Sequence, residues 1–316
     1  MSGTHVVIGA GPAGRATAEA LIARDCRVRI VSRTGRMPEP PPGAEVSAAD
    51  VLDRAALDAA VKGAGAVYLC AQPPYGRWAA EFPAFQRAVL EAAERAGARL
   101  VLAENLYGYG DRDGEAIRDD SPLAATDTKG RTRAAMSREA FDAYTAGRLP
   151  VASARASDFF GPWSWGQSHL GARALGPLAR GKAASILGSP DLPHTFTYIR
   201  DFGEALALLG TTGRGDGRAW LVPNDRPRQT QREALSLAAD LLGRPLLVKT
   251  MGRTTLTLAY PFVQIVRELL PLLYQFEKPY VVDSDSFRLQ FGMNPTPFDR
   301  ALAETIDWMR KRGLAE

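Results

Sequence analysis

Cysteine and histidine are scarce in this chain, whose 316 residues include two cysteines and three histidines. Cys26 and Cys70 lack the spacing of a metal-ligand pair or a redox motif, and both lie in or beside apolar segments. We therefore interpret them as small core residues. Histidine, cysteine and aspartate do not cluster anywhere in the sequence, so a catalytic metal is not predicted.

Long basic runs and long apolar runs are also lacking. The 39 basic residues are scattered among 35 acidic ones, so nucleic-acid binding is not predicted. The most apolar later stretch, residues 255–276, is interrupted by prolines and charges (Pro261, Arg267, Glu268 and Pro271). This stretch predicts a buried helix or a pocket wall, not a membrane span. The chain begins with a strand pattern and shows no signal peptide, so we expect a cytoplasmic protein.

A glycine-rich motif is the most informative feature that is present. Gly9, Gly11 and Gly14 have G-x-G-x-x-G spacing, between an apolar run at 5–8 and a helical pattern at 15–24. A strand that turns tightly into a helix presents free backbone N–H groups and a positive helix end, which suit a pyrophosphate. Gly9 permits the turn, Gly11 admits the phosphate and Gly14 lets helix and strand pack closely. The motif predicts a dinucleotide site, with Pro12 and Ala13 in the same loop.

The end of the second predicted strand indicates which dinucleotide binds. NAD sites usually have an acidic residue there, which accepts hydrogen bonds from the adenosine ribose. This chain has Ser32 and Arg33, followed by Arg36. A guanidinium attracts a 2′-phosphate that a carboxylate would repel, so these residues favour NADP(H). The alternative is that both arginines are solvated loop residues.

Apolar strand patterns alternate with helical patterns through the first half of the chain. The predicted strands are 5–8, 27–31, 66–70, 99–103 and 151–154, and the predicted helices are 15–24, 54–62, 78–96 and 131–146. This alternation indicates an α/β fold, a Rossmann-type doubly wound parallel sheet with a smaller C-terminal substrate-binding region. The expected nucleotide-binding domain is 1–162, with 195–225 returning to it. Residues 163–194 and 226–316 form the expected substrate-binding region. The proline-rich loop 37–43 is interpreted as punctuation within the first domain.

Later elements are also predicted. Residues 195–198 have a strand pattern, and 219–222 resemble another strand of the main sheet. Asp201 and Glu204 have capping-box spacing at the start of a helix. Further helices are expected at 230–242 and 297–312.

Several short motifs follow one another in an order typical of one family. They are Asp50-Val51, Cys70-Ala71-Gln72, Tyr109-Gly110, Gly161-Pro162, Asp201 and the segment 291–297. With these motifs the chain resembles the short-chain dehydrogenase/reductase superfamily, in its extended, NAD-dependent epimerase/dehydratase-like branch. The resemblance implies that Asp50 and Val51 contact the adenine. It also implies a cofactor-ribose contact for the Cys70, Ala71 and Gln72 loop, and a cofactor contact for Ser157.

The catalytic residues of that family are only partly present. The family uses Ser, Tyr-x-x-x-Lys and sometimes Asn. Counting four residues back from Tyr109 gives Asn105 at the serine position. If Lys129 is the family lysine, the tyrosine position is Ala125, and a one-residue slip does not supply a tyrosine either. The resemblance therefore predicts an atypical member.

Four residues are candidates for the remaining catalysis. Asn105 is placed to polarise a carbonyl oxygen. Tyr107 is either a proton donor or a residue that packs in the core or stacks on the substrate. Glu104 either positions substrate, acts as an acid with a pKa raised by burial, or forms a salt bridge with an arginine. Lys129 either holds the nicotinamide ribose, as its family counterpart does, or is a solvated residue at a helix start.

Aromatic residues after the sixth strand mark the expected substrate site. Phe159, Trp163 and Trp165 suit the floor of a site for a flat, apolar ligand, and the alternative is ordinary interdomain core. His194 is either a ligand-binding group or a structural histidine.

The leading hypothesis is an NADPH-dependent ketoreductase for a bulky, partly aromatic ketone, of the kind found in polyketide tailoring and antibiotic biosynthesis. A sugar-nucleotide epimerase or dehydratase and a non-catalytic NADP(H) sensor are the alternatives. The expected partner is a small molecule, and a homodimer is left open.

Overall fold

The computed structural model describes residues 3–259 and 264–315. By backbone contacts the chain forms two compact units. The first comprises Met1–Gly108, Leu123–Ala156 and Arg200–Val222, and the second comprises Tyr109–Pro122, Ser157–Ile199 and Pro223–Glu316.

The first unit is built on a seven-stranded sheet in which every neighbouring pair is parallel. Its strands are β1 (Thr4–Ile8), β2 (Val28–Ser32), β3 (Ala44–Ala48), β4 (Ala64–Leu69), β5 (Arg99–Glu104), β6 (Val151–Arg155) and β10 (Ala219–Leu221). Its helices are α1 (Pro12–Ile22), α2 (Arg54–Val61), α3 (Trp78–Arg95), α4 (Thr128–Thr145) and α6 (Ile199–Thr212). The strand order β10-β6-β5-β4-β1-β2-β3 reverses direction beside β1, which is the point at which doubly wound sheets bind ligands.

The central strands are almost entirely apolar because helices cover the sheet. Val6, Ile8, Val67 and Leu100 are fully buried in one core cluster with residues of α2, α3 and α4. The predicted α/β sheet is therefore confirmed, and 219–221 joins the main sheet as predicted.

Several details differ from the sequence prediction, among them one strand and two helix starts. The unpredicted edge strand β3 has the sequence Ala-Glu-Val-Ser-Ala, which is only partly buried and gives a weak strand signal. Helix α1 begins at Pro12, where proline occupies the first turn without losing a helical hydrogen bond. Helix α6 begins at Ile199, so Asp201 lies within its first turn and is not the N-cap.

The second unit contains two small parallel sheets and several helices. Its strands are β7 (Asp158–Phe160), β8 (Ala184–Leu187), β9 (Phe196–Tyr198) and β11 (Val248–Met251), and β7 pairs with β9 while β8 pairs with β11. Its helices are α5 (Leu175–Ala179), α7 (Gln231–Leu242), α8 (Arg253–Ala259), α9 (Gln264–Leu269), α10 (Tyr274–Glu277), α11 (Asp285–Phe291) and α12 (Phe298–Lys311). The predicted strand at 195–198 thus pairs with β7 and not with the main sheet.

The unit boundaries depart from the expected division at residue 162. Residues 109–122 group with the second unit, where Ile117 bridges Val282 and Lys278 Nζ donates to Asp111 at 2.8 Å. The expected buried stretch 255–276 contributes Leu256, Leu273 and other buried residues to one core cluster of the second unit, and Pro261 lies outside the described residues. Within the described ranges, none of the helices has the length and apolarity needed to cross a membrane.

Candidate cofactor and active site

The turn between β1 and α1 has the shape of a phosphate cradle. Gly9 has a φ of +122°, and a Cβ on it would lie 2.8 Å from the Ala71 backbone nitrogen. A Cβ on Gly14 would lie 1.9 Å from the Gly9 carbonyl oxygen, whereas a Cβ on Gly11 would meet nothing within 4 Å. Gly11 is also the N-cap of α1 and offers no side-chain acceptor to the first helical N–H groups. The open space and the uncapped helix end fit a pyrophosphate.

The turn after β2 carries the two predicted arginines. The Ser32 hydroxyl accepts a hydrogen bond from the Arg36 N–H at 3.1 Å and donates to the Arg36 carbonyl oxygen at 3.0 Å, which fixes the turn. Arg33 and Arg36 are exposed. Neither guanidinium pairs with a carboxylate among the residues that the structure describes. The guanidinium groups of Arg33 and Arg36, beside the end of β2, are therefore suited to bind an anion.

The other residues predicted for the cofactor follow β3 and β4. Asp50 is exposed, and its carboxylate accepts the Leu52 N–H at 3.0 Å, while Val51 is buried. The Cys70 sulfur lies 3.7 Å from the Thr17 hydroxyl oxygen, and burial raises the pKa of Cys70 to about 12. This thiol is therefore protonated at neutral pH and is not a nucleophile. Ala71 is half-buried and Gln72 is exposed.

Glu104, at the end of β5, lies in a buried ionic cluster. Its carboxylate accepts from Arg155 Nε at 3.0 Å and from the Ser153 hydroxyl at 2.6 Å, and Arg133 lies at 3.4 Å. Burial alone would raise the pKa of Glu104, but Arg155 and Arg133 outweigh it and the pKa is lowered. The expectation of an acid with a raised pKa is therefore not met. Glu104 is a carboxylate at neutral pH, as the salt-bridge alternative requires.

Lys129 lies in the first turn of α4, where Asp127 caps the helix through a 2.8 Å hydrogen bond from the Gly130 N–H. Its ammonium group sits 4.4 Å from the centre of the Tyr75 ring. Burial lowers the pKa of Lys129, and the Asp127 carboxylate opposes that shift in part. The side chain is buried and is not the solvated helix-start residue of the alternative interpretation.

Tyr107 and Asn105 lie beside this lysine pocket. The Tyr75 hydroxyl donates to the Tyr107 hydroxyl at 3.2 Å, and the Tyr107 ring packs 5.9 Å from Trp78. The Asn105 side-chain oxygen accepts the Tyr107 N–H at 3.2 Å, which fixes the turn after β5. Sequence reasoning missed Tyr75, because nothing in its proline-rich surroundings marks it as part of a site.

The remaining predicted residues lie in the second unit. The Ser157 hydroxyl donates to the Thr195 carbonyl oxygen at 2.7 Å, and its N–H donates to the Thr197 hydroxyl at 3.1 Å. Phe159 is half-buried. The Trp163 ring lies 5.7 Å from Trp308.

Trp165 packs against the core cluster of this unit. The structure thus gives both tryptophans packing contacts within the second unit. Their role toward a substrate stays a prediction.

His194 belongs to a buried acid-base group that the sequence did not predict. Its Nε2 lies 2.8 Å from the Asp158 carboxylate, and its Nδ1 lies 3.0 Å from the Gln275 carbonyl oxygen. His169 Nε2 lies 3.7 Å from the same carboxylate. Burial raises the pKa of Asp158, but the two histidines reverse the shift and lower it. The partners are far apart in sequence, so spacing gives no signal of the group.

The comparisons with known proteins agree with this geometry. An epimerase from Methanothermobacter thermautotrophicus has a TM-score of 0.81 at 16% identity, covering 98% of this chain and 93% of that one. The UDP-glucose 4-epimerase of Thermotoga maritima, solved with UDP-glucose, has a TM-score of 0.78 at 16% identity, covering 98% and 99%. A dTDP-glucose 4,6-dehydratase from Bacillus anthracis, solved with NAD, has a TM-score of 0.77 at 15% identity, covering 99% and 98%. No curated protein matches the chain.

A doubly wound parallel sheet with a glycine cradle at its first turn defines a Rossmann-type dinucleotide-binding fold. The family model for the NAD dependent epimerase/dehydratase family matches residues 5–222. The chain belongs to that family, and thus to the extended short-chain dehydrogenase/reductases, which are oxidoreductase-type enzymes. Its cofactor class is NAD(P), in line with the dinucleotide site that the glycine motif predicted.

Proposed function

We propose that this protein is an NADPH-dependent ketoreductase that acts on a bulky, partly aromatic ketone. The observation that carries the cofactor choice is the pair of exposed guanidinium groups, Arg33 and Arg36, at the end of β2 without a described carboxylate partner. They lie in the turn that follows β2, and β2 is paired with β1, whose glycine cradle fits the pyrophosphate. A 2′-phosphate would complete their charge pairing, and no acidic side chain occupies the turn from 32 to 36 to repel it.

The chemistry is supported by the residues around β5. Bound NADPH supplies a hydride to a carbonyl carbon, and the protein must orient the ketone and deliver a proton to its oxygen. The Asn105 side-chain oxygen accepts the Tyr107 N–H just after β5, and the amide NH₂ of the same side chain is the group that could donate to a carbonyl oxygen. Lys129, Tyr75 and Tyr107 form a compact group of ionisable side chains nearby. The aromatic rings in this group suit an apolar substrate.

The test is a stopped-flow assay of NADPH absorbance with 1-tetralone, 2-tetralone and trans-1-decalone as probes. The proposal expects oxidation of NADPH with at least one bicyclic ketone and slower oxidation of NADH. Absence of turnover with all of them, despite tight NADPH binding, would favour a non-catalytic NADP(H)-binding sensor. Turnover with NADH alone would contradict the cofactor assignment.

A second candidate is a sugar-nucleotide epimerase or dehydratase, and the solved relatives named above favour it. Such reactions begin by oxidising a sugar alcohol, for which the family's usual tyrosine is absent here. Protein purified with tightly retained NAD, and turnover of UDP-glucose or dTDP-glucose followed by mass spectrometry or NMR, would support this candidate. Free exchange of NADPH would oppose it.

A further inference from the structure

We propose that Lys129 is the proton donor of this site, in the helical position that the tyrosine of Tyr-x-x-x-Lys holds in the family, with Arg133 in the lysine position. The inference rests on the proposed reductase function for its chemistry. It replaces the register considered in the sequence analysis, in which Lys129 would be the family lysine and Ala125 would stand at the tyrosine position.

The register follows from where α4 begins. Two side chains four residues apart share one face of a helix only if both lie in the helix. Helix α4 starts at Thr128 with Asp127 as its cap, so Ala125 lies before the helix. Lys129 and Arg133 are therefore the first pair of basic side chains that share a face of α4 at this spacing.

The start of α4 also lies against the loop that follows β5. A Cβ on Gly130 would lie 2.5 Å from the Tyr107 carbonyl oxygen, so this residue must be small to let helix and loop approach. This close approach brings Lys129 to the carboxyl end of the central strands. The same edge of the sheet carries the glycine cradle. A nicotinamide dinucleotide in the cradle extends along this edge in doubly wound folds.

Arg133 is committed to the ionic cluster and cannot take the proton-donor role. It is buried, lies 3.4 Å from the Glu104 carboxylate and packs 4.8 Å from the centre of the Phe82 ring. A guanidinium also keeps its proton at any physiological pH. The pair therefore divides into a structural cation, Arg133, and an ionisable amine, Lys129.

The surroundings of Lys129 favour release of a proton. Among the described contacts, the Asp127 carboxylate in the helix cap acts on the charge of Lys129, and the Tyr75 ring contacts its ammonium group. The Tyr75 hydroxyl is in turn hydrogen-bonded to the Tyr107 hydroxyl, and Arg133 follows one turn later in α4. Burial lowers the pKa of Lys129 below its ordinary 10.5, which makes the ammonium a stronger acid than an exposed lysine. The Tyr75 ring attracts the Lys129 ammonium group and so offsets part of the cost of burying its charge.

The proposed step is balanced as follows. A reduced nicotinamide dinucleotide, when bound, would supply the hydride to the carbonyl carbon and would itself be oxidised. The π-electron pair of the C=O bond moves to the oxygen, and that oxygen takes a proton from Lys129 Nζ. The resulting neutral amine regains its proton from water. Because reduction needs the ammonium form, its rate falls as pH rises through the lowered pKa of Lys129.

The test compares Lys129→Met with Lys62→Met, which removes an exposed lysine at the end of α2. In apo protein with ¹³C-methylated lysines, the six lysines are resolved by NMR, and the resonance missing from Lys129→Met identifies Lys129. We expect Lys129 to titrate at lower pH than the other five. NADPH affinity, measured by fluorescence, is expected to stay within about twofold of wild type in both variants.

With a turned-over probe ketone, Lys129→Met is expected to lower the reduction rate at saturating NADPH by roughly 10²–10⁴-fold and to remove the alkaline fall in rate. Lys62→Met is expected to retain both. A Lys129→Met protein that binds NADPH at least tenfold more weakly but reduces normally when saturated would overturn the proposal, since Lys129 would then hold the cofactor ribose. Titration of Lys129 together with the exposed lysines would also overturn it. If wild type reduces none of the probes, the proposed reductase function fails and the donor role fails with it. The NMR titration and the NADPH affinities then still show whether Lys129 is an unusually acidic side chain or a contact to the cofactor.

Discussion

Replacing Glu104 by Gln removes a buried carboxylate that two buried arginines share. The contacts at stake are Arg155 Nε at 3.0 Å, the Ser153 hydroxyl at 2.6 Å and Arg133 at 3.4 Å. Removing one partner of a buried ion pair leaves the other charge uncompensated and typically costs about 3–5 kcal/mol. The amide oxygen of Gln still accepts one hydrogen bond, so we expect the loss to fall near the lower end, about 3 kcal/mol.

The assay is urea unfolding followed by the fluorescence of the five tryptophans. The matched control is Glu94→Gln, which breaks an exposed pair with Arg148 and is expected to leave the unfolding midpoint unchanged. The pKa of Glu104 is lowered in the folded protein, so its carboxylate stabilises the protein fully at pH values above its ordinary pKa of 4.5. That contribution is lost as pH falls through the lowered pKa, and the difference between wild type and Glu104→Gln should narrow in acid. A loss of unfolding free energy below about 1 kcal/mol at pH 7 would refute the claim that the Glu104 carboxylate stabilises the fold by pairing with Arg155 and Arg133.

Three further predictions concern single sites. Gly14→Ala should lower the thermal unfolding midpoint strongly, because its Cβ would lie 1.9 Å from the Gly9 carbonyl oxygen. Gly11→Ala should fold normally, because its Cβ would meet nothing within 4 Å, and should lose nucleotide affinity. Equal melting curves for the two variants would contradict this prediction. Cys70, whose pKa burial raises to about 12, should resist iodoacetamide at pH 8 in peptide mass spectrometry, and rapid modification would be the opposing result. Burial lowers the pKa of His5 below 6.5, so the stability of wild type should decline as pH drops below 6.5. His5→Gln has no imidazole to protonate, so its stability should decline less over the same pH range. An identical pH dependence of stability in both proteins would be evidence against this prediction.

The fold could be predicted from the sequence because the patterns that indicate it are local. The glycine spacing at 9, 11 and 14 and the alternation of apolar strands with helices predict a doubly wound sheet without knowledge of distant contacts. The edge strand β3 escaped because its side chains are small, polar and only partly buried. Strand identity at an edge depends on pairing with β2, which sequence pattern does not encode.

The site was predicted less completely because it depends on tertiary contacts. The sequence left three interpretations of Glu104 open, and the choice among them required knowing that Arg133 and Arg155 both lie against its carboxylate. The role of Lys129 depended on where α4 begins, and the Asp127 cap that sets this start was not recognised as one. An aspartate two residues before a lysine, as Asp127 is here, can be used to predict that the helix begins between them and that the lysine lies in its first turn.

The most direct measurement is the affinity of the purified protein for NADPH and NADH, with Arg33→Ala/Arg36→Ala as the comparison variant. Hydrogen bonds to charged groups contribute about 1.5–3 kcal/mol each, so loss of the guanidinium contacts is expected to weaken NADPH binding by at least about tenfold. NADH binding should be unchanged, and the wild type should prefer NADPH. Equal affinity for both nucleotides in the wild type, or equal weakening of both in the double variant, would contradict a 2′-phosphate site at the end of β2.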